Sequence, residues 1–213
     1  MKTIKTLLIL ILLSPAITMA QPEKYNLAMG KSLEALKSAG NAEQMLSAGN
    51  QFERIANAES KLWQPFYYSA YANIVAGIMT AEPAKKDELF DKAIKQMETA
   101  DKLSVDNSEI YALLGYAQFM KMSVDPQSRA MTLIPEANAS LEKAKLLDPS
   151  NPRPWLISGQ NTFYTPEAFG GGKQKAKSML ETAKANFDTF SPVDGLAPSW
   201  GKERCLELLK QCE

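Results

Sequence analysis

The pattern Ala-x-x-x-apolar-x-x-small or apolar occurs four times in this chain, at Ala48/Phe52/Ile55, Ala93/Met97/Ala100, Ala137/Leu141/Ala144 and Ala176/Leu180/Ala183. Residues at this spacing share one narrow face of a helix. The last members lie 45, 44 and 39 residues apart, and eleven residues behind the first three stands a large aromatic: Phe66, Tyr111 and Trp155. Four residues beyond each aromatic is a small residue, Ala70, Gly115 and Gly159. A helical hairpin of this size cannot bury its apolar face alone, so such units must stack on one another and be closed at the end. No alternating apolar and polar run is long enough for a strand. The register therefore predicts an all-α solenoid of about four antiparallel helical hairpins plus a C-terminal capping helix.

The stretch LEKAKLLDPSNPRPWLISG, with its alanine, leucine, Asp-Pro, aromatic and glycine, resembles the tetratricopeptide repeat (TPR) family, and Tyr111, Leu114 and Gly115 of NSEIYALLGYAQ fill the corresponding first-helix positions. The family repeat is 34 residues, and the units here are 5 to 11 residues longer. The excess lies between the aromatic of each first helix and the alanine of the second, as longer helices or longer turns. The resemblance covers roughly residues 24–190, with units at about 24–60, 61–105, 106–149 and 150–190, and a capping helix at about 198–212. Glu82-Pro83 and Asp125-Pro126 open second helices. Pro135 is expected to split residues 126–147 into a short turn and a longer helix. The large aromatics are expected to fill the gaps left by the small residues, so that Phe66, Tyr111 and Trp155 are core.

Residues 1–20, MKTIKTLLILILLSPAITMA, read as an export signal: a basic start, an apolar run from Leu7 to Leu13, and Thr18-Met19-Ala20 as a small-x-small cleavage site. The apolar run is too short to span a bilayer, and no cysteine follows the site to carry a lipid. The expected product, residues 21–213, is a periplasmic or secreted protein without stable membrane insertion. Loss of Lys2 and Lys5 from 24 basic against 24 acidic residues leaves a net charge of −2, which argues against nucleic acid as partner. In an oxidising compartment Cys205 and Cys212 invite a disulfide. A helix running through both separates them by about 10.5 Å, beyond the reach of the bond. They are then packing residues of the terminal helix, or are bonded by fraying of its last turn or between two chains.

The chain has no histidine, which removes the Ser-His-Asp triad, the Cys-His dyad and His-ligated zinc. No catalytic constellation, metal site or cofactor motif is evident, and a non-enzymatic role is expected. Gly170-Gly171-Gly172-Lys173 leads into a helix and could hold an anion, but Glu167 and Gln174 stand where the nucleotide-binding motif needs Gly and Ser or Thr. The family resemblance implies a turn there instead. It also implies that first helices line a concave groove through the positions one, five and eight residues after each large aromatic. These are Tyr67, Tyr71 and Ile74, then Ala112, Tyr116 and Phe119, then Leu156, Gln160 and Phe163, with Arg153 on the rim. Either the lengthened helices bury these rows against each other, or Tyr67, Tyr71, Tyr116, Phe119, Gln160, Phe163 and Arg153 contact a partner. The leading expectation is a scaffold binding another envelope or secreted polypeptide in an open groove. The alternative is an exported small-molecule binder, holding an apolar or anionic ligand with the aromatic groove and the glycine-rich loop, and closed by the terminal helix.

Overall fold

A computed structural model describes residues 17–213, with side chains from Pro22 onward. Residues 1–16 of the expected export signal, and the side chains of its Thr18-Met19-Ala20 site, lie outside the described residues. Four hairpins follow in order: α1 (Ile17–Ser38) with α2 (Ala42–Ala58), α3 (Trp63–Met79) with α4 (Pro83–Leu103), α5 (Ser108–Met122) with α6 (Pro126–Leu147), and α7 (Pro152–Tyr164) with α8 (Lys173–Thr189). A last helix, α9 (Lys202–Lys210), packs on α7 and α8. Each hairpin stacks on the next, in the all-α, solenoid-like arrangement expected from the repeat spacing, and the described residues contain no strand.

The repeat residues form the seam of this stack. Ala48, Phe52, Ala93, Met97, Ala100, Ala137, Leu141, Ala144, Ala176, Leu180 and Ala183 are all buried. The gaps are filled differently from the expectation, however. A Cβ on Gly115 would stand 2.8 Å from Leu141 Cγ, and one on Gly159 2.7 Å from Leu180 Cγ. The apolar member of each second helix, not the large aromatic of the first, occupies the space that the glycine leaves. Phe66, Tyr111 and Trp155 are only half-buried; Tyr111 and Trp155 lie under the ammonium groups of Lys143 and Lys145.

In the second and third units the extra residues lengthen the helices, with tight turns between α3 and α4 and between α5 and α6, whereas in the fourth they lie in the connection 165–172 between α7 and α8. Side chains of Asn41, Asn107, Asp125 and Asn151 accept hydrogen bonds from the first-turn amides of α2, α5, α6 and α7, which satisfies donors with no partner inside the helix. Pro135 does not split α6, which runs unbroken through it. The proline deprives the carbonyl of Met131 of its partner, yet both residues are exposed, so water can take that place. The helix packs through Ala137, Leu141 and Ala144 beyond it.

Candidate functional site

One cleft, of about 640 Å³, is built by the first helices of all four hairpins. Leu33 and Leu36 of α1, Tyr68, Tyr71 and Val75 of α3, Tyr116 of α5, and Leu156 and Gln160 of α7 form its walls. Met45 of α2 adds a thioether. The far side is the chain's own C-terminal segment, with Trp200 and Gly201 ahead of α9 and Arg204 within it. Trp200 stacks on Tyr71 at 4.8 Å between ring centroids and 30° between planes. Lys37, Glu203, Arg204 and Glu207 are the charged residues around the cleft.

A buried polar network pins this segment in place. Arg153 has no exposed surface; its guanidinium donates to Glu109 Oε1 at 2.6 Å and to the carbonyl of Pro198. Glu109 Oε2 accepts from the Tyr67 hydroxyl at 3.3 Å, and the same hydroxyl oxygen accepts from Trp200 Nε1 at 3.0 Å. The Tyr68 hydroxyl donates to the carbonyl of Leu196 at 2.8 Å. Burial pushes the Glu109 carboxyl above the usual carboxylate range, and Arg153 and Tyr67 oppose the shift. Each member of the pair has its partner, and removal of one would strand the other in a low-dielectric interior.

Tyr71, Tyr116 and Gln160 are brought together in the cleft, as their shared row implied. Gln160 Nε2 donates to the Tyr116 hydroxyl at 2.9 Å, while its Oε1 accepts from Arg204 Nε at 3.1 Å. Burial raises both phenols above their ordinary value of 10. The other four candidates are elsewhere. Tyr67 and Arg153 lie beneath the cleft, fully buried in the network, and contact no solvent; on α3 it is the neighbours Tyr68 and Val75, one residue on from Tyr67 and Ile74, that face the cleft. Phe163 packs with α8 and α9 and meets Tyr164 edge-on at 5.0 Å. Phe119 faces a second cavity on the other side of Gln160, between α5, α6 and α7. The glycine-rich loop is a closed turn: the amides of Gly170, Gly171 and Gly172 donate to the carbonyls of Glu167, Pro166 and Thr162. Its amides are therefore spent on the backbone, and they cannot cradle an anion.

Trp200, Arg204 and Leu36 were not among the expected site residues. Pro192 and Pro198 bracket the approach to Trp200 and Arg204 and mark a loop in the sequence, but not that it folds back over the inner face. Matching the sequence against protein-family models and against curated proteins finds nothing. Among solved structures, the HusA haemophore from Porphyromonas gingivalis is 32% identical, with a TM-score of 0.79 over 89% of this chain and 92% of that one. These findings overturn the expected open groove for a polypeptide partner, since the inner face is roofed by the chain's own segment and the similar protein is by name a carrier of haem, a small molecule. With that identity over nearly the full length of both, the chain belongs to the family of the HusA haemophore.

Proposed function

We propose that this chain is an exported, non-enzymatic carrier that holds haem in the cleft between α1, α3, α5, α7 and the Trp200 segment. The observation that carries the reading is the aromatic cleft, covered on one side by the chain's own C-terminal segment, in a relative of a haemophore. Its volume of about 640 Å³ falls in the range of pockets that enclose cofactor-sized ligands, about 300–1,000 Å³. Tyr71 and Trp200 offer an aromatic wall for a planar macrocycle, Leu36, Val75 and Leu156 an apolar surround, and Lys37 a positive charge to face a carboxylate, whereas the Arg204 guanidinium is already paired with Glu207. The hairpin array is read as an elongated derivative of the tetratricopeptide repeat, supported by the register of Ala137, Leu141 and Ala144.

Titration of residues 21–213 with haemin, followed by Soret absorbance and tryptophan fluorescence, tests the proposal. Saturable one-to-one binding is expected, with quenching of Trp200. Truncating one central aromatic typically costs about 2 kcal/mol, roughly 30-fold in affinity, so Tyr71→Ala and Trp200→Ala should each weaken binding on that scale while leaving the helical signal intact. Haemin binding that neither substitution weakens would place the ligand outside this cleft.

A further inference from the structure

Of the four charged residues around the haem cleft, Arg204 and Glu207 are paired with each other at 3.1 Å, and the guanidinium also donates to Gln160 and Tyr164. Lys37 and Glu203 line the same cleft, are exposed, and form no ion pair. They come from the two ends of the hairpin stack. Lys37 is in the last turn of α1, in the first hairpin, and Glu203 in the first turn of α9, which packs on the last hairpin. Burial is the largest cause of the raised pKa of Tyr71, and the Glu203 carboxylate adds to it, so its field reaches the aromatic wall. A carboxylate facing a site for haem, itself a dicarboxylate, is unfavourable unless the ligand turns its own carboxylates away. Haem allows this, because both propionates leave one edge of the macrocycle and the opposite edge carries only vinyl and methyl groups.

We propose that Lys37 and Glu203 decide which porphyrins the cleft accepts and how they sit in it, a specificity that rests on the haem reading above. The propionate edge lies toward Lys37 and the apolar edge toward Glu203. A porphyrin with a carboxylate on every pyrrole ring cannot avoid Glu203, so the cleft takes a dicarboxylate and rejects a tetracarboxylate. Both residues also stand at helix ends where the dipole favours their charge. A dipole role changes stability alone, whereas a specificity role changes the ratio of two affinities.

Mesoporphyrin IX and coproporphyrin III separate the two roles, since they carry ethyl groups and propionates, respectively, at the same two positions. Their affinities for residues 21–213 are read by porphyrin fluorescence at pH 8, in about 20 mM and about 500 mM salt. In low salt mesoporphyrin should bind the wild type at least about tenfold more tightly. Glu203→Gln should narrow that gap about fivefold, the scale of one charge pair in water, and Glu203→Lys should narrow it further. Lys37→Gln should weaken mesoporphyrin by a similar factor. In high salt the wild-type gap should shrink toward that of Glu203→Gln, because screening removes a charge effect and leaves shape untouched. A gap that neither substitution at Glu203 narrows, or that salt leaves unchanged, would overturn this role. The haem reading would still stand if mesoporphyrin binds and Tyr71→Ala weakens it. Failure of both porphyrins to bind the wild type would overturn both.

Discussion

Gly115 and Gly159 set how closely each first helix approaches its second, because the leucine opposite already occupies the space of a side chain. At Gly115 a Cβ would also stand 2.9 Å from the carbonyl of Ala137, and a backbone atom in a helix cannot swing aside. Gly115→Leu is therefore expected to destabilise the fold by about 1–3 kcal/mol, despite leucine's better helix propensity, and thermal or urea unfolding measures it. Cys205 makes a second residue-scale case. It is buried, its thiol donates to the carbonyl of Leu180 at 3.3 Å, and burial raises its pKa to about 11. At pH 8 a maleimide should label Cys212 alone in the native protein and both thiols after denaturation; rapid native labelling of both would contradict this packing. At this scale the repeat residues were legible because small side chains at a fixed spacing have one use. The groove residues were half legible. A one-residue error, Tyr67 for Tyr68, turns a position by about 100° on a helix with 3.6 residues per turn, enough to exchange core for cleft.

Among the elements, the segment from Phe190 to Gly201 does what sequence spacing could not show. Helix periodicity reports which face of a helix is apolar, whereas the path of an irregular segment depends on contacts distant in sequence. Here those contacts are Arg153 with Pro198, Tyr68 with Leu196, and Tyr67 with Trp200. Pro135 failed as a helix breaker for a related reason: its effect depends on whether the freed carbonyl faces solvent. Breaking a buried pair from one side usually costs about 3–5 kcal/mol, so Arg153→Met should destabilise strongly, and in a pH-dependent way. Without the guanidinium, only the Tyr67 hydroxyl opposes the effect of burial on Glu109, and its carboxyl rises further. A raised carboxyl favours the folded state fully below its unfolded value, near 4.5, and that contribution is lost as pH rises through the folded value. The gap in melting temperature between wild type and Arg153→Met should therefore be widest at neutral pH and narrow towards pH 4. A gap that stays constant with pH would mean that Glu109 is not the group left stranded.

Across the whole molecule, four hairpins and one returning segment enclose a cleft whose chemistry is aromatic and phenolic. The chain carries no histidine, and all three cleft phenols, Tyr68, Tyr71 and Tyr116, have pKa values raised by burial and stay protonated at neutral pH. A protonated phenol can stack and hydrogen-bond, but it is a poor metal ligand. In the proposed haem site, recognition then rests on the macrocycle and its carboxylates more than on the iron. Metal-free protoporphyrin IX should then bind with an affinity within about tenfold of haemin, a difference of no more than about 1.4 kcal/mol. The affinity should also be flat between pH 6 and 9, below the range in which any of the three phenols ionises. Fluorescence titrations with the two porphyrins across that range measure both quantities. Haemin binding that is a hundredfold tighter and strengthens with pH would show a tyrosinate bound to iron. The same preference without pH dependence would point to the thioether of Met45, which Met45→Leu would then abolish.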